Sequence, residues 1–150
     1  MADRVSASIV LGGTITAVVF AELTVLIEAE GLSTEWDGDP FQLADIRPGE
    51  PLSLYAHEVA WGRFEELEAY CVVNAVPFAR WAGAYAGQWN AERVVFTGAG
   101  EPAEFVADED DHIVIHGQTV EKLGSMDAIL AHFDAADFAV PPLIVGDEPA

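Results

Sequence analysis

The chain has 150 residues, enough for a single domain with a real core, and its 51% hydrophobic and 21% charged content is that of a folded globule, not a disordered tail. Its formal charge is −20: 26 Asp and Glu face six basic residues, Arg4, Arg47, Arg63, Arg80, Arg93 and Lys122. Such a body repels phosphate backbones, and six scattered cations make no basic patch, so no direct binding of nucleic acid is expected and an anionic membrane surface is disfavoured.

Residues 5–27 are largely apolar, with Glu22 the only charge, and Val19-Phe-Ala21 has the form of a signal cleavage site. Asp3 and Arg4 cancel, however, so the positive leader of a signal peptide is missing, and Gly12-Gly13-Thr14 interrupts the run. The segment therefore reads as part of the fold, and a cytoplasmic protein is expected.

A repeat gives that segment its place. Residues 9–32 overlie residues 53–76 without gaps at an offset of 44: Phe20-Ala-Glu-Leu23 on Phe64-Glu-Glu-Leu67, Ile27 on Cys71, Leu32 on Val76. One insertion later Trp36-Asp-Gly38 matches Trp81-Ala-Gly83. Each copy reads as strand (8–11 or 52–55), helix, and returning strand (33–36 or 78–81). Phe20, Leu23 and Ile27, and likewise Phe64, Leu67 and Cys71, recur at helical spacing and give each helix one apolar stripe. Gly31 is a helix stop, and Glu28, Glu30, Glu65, Glu66 and Glu68 fall on solvated faces. Two βαβ units, over 1–38 and 51–83, predict an α+β domain with a ferredoxin-like antiparallel sheet and both helices on one face. Cys71 is the only cysteine, which excludes an intrachain disulfide; mid-helix and in apolar company, it reads as a small buried hydrophobe.

Residues 92–150 read as a hairpin, a helix and a tail. Strands are expected at 93–97 and 112–116, joined by a long acidic connection. A helical region from Thr119 breaks at Gly124-Ser125, where Ser125 caps a segment carrying Met126, Ile129, Leu130 and Phe133. Pro141-Pro142 ends all helix, and Leu143, Ile144 and Val145 dock as an edge strand.

The familiar chemical motifs fail on inspection. In His112-Ile-Val-Ile-His116 a strand would place the two imidazoles about 13 Å apart, too far for one ion. His57-Glu58 begins an HExxH zinc motif, but Trp61 stands where the second histidine belongs. Asp108-Glu-Asp-Asp111 resembles the start of a calcium loop but has Ile113 in place of the glycine and Thr119 in place of the final glutamate, which leaves room only for weak cation binding. Gly98-Ala-Gly100-Glu-Pro-Ala103 matches GxGxxA, yet Glu101 and Glu104 would face the pyrophosphate. No cofactor and no catalytic residue is expected.

Two features remain. Acids concentrate in three segments: five from Glu28 to Asp39, including Glu35 and Asp37; four from Glu58 to Glu68; and Glu101, Glu104, Asp108, Glu109, Asp110 and Asp111. Aromatics recur at Phe78, Trp81, Tyr85 and Trp89, residue types that anchor protein interfaces when they are not simply core. The expected partner is a basic nucleic-acid-binding protein. Glu35, Asp37, Asp39, Glu65, Glu66, Glu68 and the third acidic segment would stand in for phosphates, with Trp81, Tyr85 and Trp89 as anchors. In charge character the chain resembles small antirestriction and anti-CRISPR proteins of phages and plasmids, which implies a non-catalytic inhibitor. The other readings are a small-molecule binder or enzyme using the sheet face, an adaptor in a protein complex, and adaptation to high salt; the 51% hydrophobic content fits the last less well.

Overall fold

Alternation along the first strand decides the architecture. The computed structural model describes residues 4–85 and 87–146. In β1 (Arg4–Leu11) Val5, Ala7, Ile9 and Leu11 are buried on one face, while Ser6, Ser8 and Val10 point to the other. At Gly12 the chain leaves this sheet. A side chain there would lie 1.8 Å from the Pro141 carbonyl oxygen, so only glycine admits the crossing. The short β2 (Gly13–Thr16) then pairs in parallel with the C-terminal β7 (Leu143–Gly146) as a separate two-stranded sheet. The expected apolar tail strand is present, and its partner lies in the middle of the N-terminal apolar run.

The Thr16 hydroxyl accepts from Val19 N and opens α1 (Ala17–Ala29), which buries Leu23 and Ile27 and stops at Gly31, φ 68°. β3 (Leu52–Ala60) runs antiparallel to β1; α2 (Glu65–Val73) follows and buries Leu67 and Cys71; β4 (Phe78–Ala82) returns on the other side of β1. β5 (Glu92–Phe96) and β6 (Ala103–Val106) complete a five-stranded antiparallel sheet of order β3-β1-β4-β5-β6. α1 and α2 pack on the face of Ile9, Leu54, Phe78 and Phe96, where each fully buried large side chain contributes about 1.5–3 kcal/mol. The helix break falls at Gly124, φ 76°, between α3 (Gly117–Leu123) and α4 (Met126–Ala136), and Ser125 Oγ accepts from Ala128 N as expected. None of the four described helices is long and apolar enough to cross a membrane.

Two expected strands are corrected. Residues 33–36 do not form one: only Ser33 is bonded to Tyr55, and Glu35-Trp36-Asp37-Gly38 turns back so that Ser33 also bridges Pro40. Asp37 at φ 59° and the Gly38 N–H donated to the Glu35 carbonyl make that turn. Residues 112–116 do not pair with β5 either. The Asp108 carboxylate accepts from Asp110 N and His112 N and curls the chain, leaving Ile113 a single bridge to Ala107. The partner of β5 is β6, whose alternation of exposed Glu104 with buried Phe105 is hidden among glutamates and proline.

Candidate functional site

The second face of the sheet is only half covered. α4 and the segment after it close over Ala79, Val95 and Phe105. Over β3, β1 and β4 the sheet stays open as a groove of 570 Å³ lined by Ser6, Ser8, Val10, Trp36, Tyr55, His57, Trp81, Glu109, Asp110 and Asp111. Cavities of this size with a few convergent polar groups are where ligands bind.

The turn that replaces the expected strand makes one wall. Trp36, 40% exposed, reaches from it over the sheet, its ring 4.9 Å from Tyr55, 5.0 Å from His57 and edge-on to Trp81 at 6.3 Å. The two tryptophans matched by the repeat therefore meet in space. Trp81 is held from beneath by its indole N–H donated to the Asp108 carbonyl at 2.9 Å.

His57 sits at a β-bulge. Val5 pairs with Val59 but Ala7 with Ala56, so β3 carries one extra residue, and Glu58 takes it up at φ 56°. The bulge returns Val59 to the core and leaves His57 facing the groove. With His57 Nε2–H donated to Asp37 at 3.1 Å, Nδ1 accepts the Ser6 hydroxyl at 2.7 Å. Serine, imidazole and carboxylate are thus connected in the order of a nucleophile relay. The Ser6 carbonyl accepts from Gly83 N, and its neighbours Val5 and Ala7 are paired with β3 and β4. The chain of bonds orients the ring and tethers the Asp37 turn.

A second cleft, of 640 Å³, joins this groove at Tyr55 and His57 and has Glu30, Asp37, Glu58, Glu65 and Glu66 in its lining, with Arg4 and Arg63. The Arg4 guanidinium donates to the Glu58 carbonyl at 2.9 Å. Glu30, at the end of α1, meets the acidic first turn of α2. Its carboxyl is held above its ordinary value, by partial burial first and then by the charges of Glu66, Glu68 and Glu65.

The anticipated partner-binding acids do not form one surface: Glu109, Asp110 and Asp111 line the aromatic groove and others lie elsewhere. Asp37, Glu65 and Glu66 join the acidic cleft. Glu35 lines a separate depression with Asp45 and Glu50, and Asp39 is exposed beside it in sequence. Glu101 and Glu104 lie at the β6 side, the opposite edge of the sheet. Several acids already have internal partners: Glu68 accepts from Arg80 and Phe64 N, Glu109 from Ala84 N, and Asp111 pairs with Arg93 at 3.0 Å. Asp108, Asp110 and His112 bring potential ligand atoms within 4.8 Å of one another. The Asp108 carboxylate is committed to its own loop, whose His112 N–H is the main cause of its lowered pKa. Tyr85 and Trp89 stack at 5.2 Å outside the groove, with Trp89 5.9 Å from Trp61.

Six groove residues were not anticipated as site residues from sequence: Ser6, Ser8, Val10, Trp36, Tyr55 and His57. The clue was Trp36-Asp-Gly38, a bulky aromatic on a turn signal. Comparison with protein-family models, with curated proteins and with solved structures gives no match.

Proposed function

We propose that the protein is a non-catalytic inhibitor that binds the basic surface of a nucleic-acid-handling protein, in the manner of a phage or plasmid antirestriction or anti-CRISPR factor. The observation that carries this reading is the convergence of Glu30, at the end of one helix, with Glu65 and Glu66, at the start of another, in the lining of one cleft. Carboxylates fixed on rigid elements at that density imitate a phosphate backbone, which carries one charge per about 1.7 Å of duplex axis. Lysines and arginines in a partner's cleft would be steered to this edge and paired there.

The same reading takes β1, α1, β3, α2 and β4 as a ferredoxin-like core of two related halves. The neighbours β3-β1-β4 and the shared helix face support it, as does Ser33 bridged to Tyr55 where an edge strand would lie. β5 and β6 are then additions to that core.

The test is inhibition of DNA binding across a panel of restriction and CRISPR effectors, with the triple variant Glu30→Gln/Glu65→Gln/Glu66→Gln set against Glu101→Gln/Glu104→Gln. Loss of inhibition in the triple variant alone, and fading inhibition as salt rises, is the expected result. Inhibition that ignores salt, or that fails equally in both variants, overturns the assignment. Absence of inhibition across the panel overturns it too. A small-molecule function is the second reading, favoured by the open aromatic groove.

A further inference from the structure

The groove over β3, β1 and β4 combines two chemistries that select the same kind of ligand. Trp36, Tyr55 and Trp81 supply aromatic surface, with Trp36 standing away from the sheet. Glu109, Asp110 and Asp111 stand on one rim, and Asp37 lies against His57 on the other. No lysine or arginine is among the described residues that line it. Asp111 is paired with Arg93 and Glu109 is bonded to Ala84 N, but Asp110 pairs with no cation among the described residues. The Ser6 and Ser8 side chains on the groove floor add hydroxyl oxygens that accept hydrogen bonds.

We propose that this groove receives an arginine side chain of the basic partner, its guanidinium stacked on Trp36 and bonded to the Asp110 carboxylate. A guanidinium suits the site better than an ammonium: it is planar, weakly hydrated, stacks on indole and phenol faces, and forks onto a carboxylate. The groove is continuous with the acidic cleft at Tyr55 and His57, so one basic surface can span both. The source of the arginine rests on the partner reading given above; the chemistry of the groove does not.

The experiment follows the Trp36 and Trp81 indole N–H signals by NMR while the full chain is titrated with a blocked Gly-Arg-Gly peptide, the matching Gly-Lys-Gly peptide, and agmatine. The arginine peptide is expected to shift both signals and to bind about tenfold tighter than the lysine peptide, with Trp36→Ala removing about tenfold and Asp110→Asn a few-fold. Trp36 is on an exposed turn, and the Trp81 signal reports whether its variant stays folded. Equal binding of the two peptides reduces the effect to net charge and overturns the proposal, as does the absence of any shift. Agmatine binding far tighter than the arginine peptide would assign the groove to a free small molecule and overturn the partner source. The Glu30→Gln/Glu65→Gln/Glu66→Gln variant separates the two ideas. If it abolishes inhibition of the effector and keeps the peptide shifts, the groove stands independently of the acidic cleft.

Discussion

Arg80 and Glu68 meet at 3.0 Å, and Arg80, only 2% exposed, also holds Glu92 at 2.9 Å and the Gly62 carbonyl at 2.9 Å. It joins β4 to α2, to β5 and to the turn before α2, so it fixes the helix that carries Glu65 and Glu66. Burial pushes the Glu68 carboxyl above its ordinary value despite the guanidinium beside it. Removing one partner of such a pair strands the other in a poor solvent. Arg80→Ala is expected to lose roughly 3–5 kcal/mol in urea denaturation at neutral pH, while Arg80→Met combined with Glu68→Met and Glu92→Met, which leaves no carboxylate of the network unpaired, recovers part of it. A loss below about 1 kcal/mol for the single variant would mean that water reaches Glu68 and that the network is not an anchor.

Gly12 makes a sharper steric prediction. An added methyl group would sit 1.8 Å from Pro141 O and 2.7 Å from Val140 Cγ1, backbone and branched side chain that cannot both step aside. Gly12→Ala should cost about 3 kcal/mol or more, and limited proteolysis should release the C-terminal segment as β7 separates from β2. Gly117→Ala, with open space around the added atom, is the control and should change stability by no more than about 0.5 kcal/mol. Equal effects at the two positions would show that the crossing at Gly12 is looser than its geometry.

The helices and five of the strands were legible in the sequence because one-sided burial writes a period into it: Leu23 and Ile27, Leu67 and Cys71, and the alternating residues of β1. Two strands misled for opposite reasons. Residues 112–116 carry alternating β-branched residues, yet Asp108 and Asp111, φ 59°, bend the approach so that the segment forms one isolated bridge, Ile113 opposite Ala107. Residues 103–106 look like a polar loop, yet one inward phenylalanine suffices where the strand is an edge. The acidic cleft was half legible, since Glu65 and Glu66 stood out as charge but their proximity to Glu30 depends on how α1 and α2 pack. The groove was not legible, because a turn and a bulge create it and neither alters the hydrophobic period.

Cys71 is fully buried, and burial pushes its thiol up to about 12, with the Glu68 charge adding to the effect. The thiolate that reacts with disulfide reagents is therefore scarce and enclosed in the native state. Native protein at pH 8 should show no thiol reacting with an aromatic disulfide over an hour, and one per chain after addition of guanidinium chloride. Prompt native labelling would mean that α2 opens readily, which would also deny Glu65 and Glu66 a fixed position.

Burial of three carboxylates, with crowding as a further cause at Glu30, gives stability a pH dependence with a definite sign. Glu30 and Glu68 titrate higher in the folded protein than their ordinary 4.5, and Asp111 higher than 3.8, burial being the first cause in each. A raised acid binds its proton more tightly folded than unfolded. Its contribution is therefore fully present below the unfolded value and is lost as pH rises through the raised folded value. Asp108, lowered by the backbone N–H groups of its loop, acts oppositely, but only near and below 3.8. Thermal unfolding at constant ionic strength should thus show the protein becoming more stable as pH falls from neutral to the ordinary glutamate value of 4.5, and losing stability only near and below 3.8, where Asp108 takes up its proton. At pH 7, added salt should stabilise it in the same direction by screening Glu30 from Glu65 and Glu66. Neutralising those three residues with glutamine should flatten the salt response and remove the Glu30 share of the pH response, leaving that of Glu68 and Asp111 and the fold intact. A protein that instead loses stability steadily from pH 7 to pH 5 would have its carboxylates paired rather than crowded, and with them would go the field on which the binding of a basic partner depends.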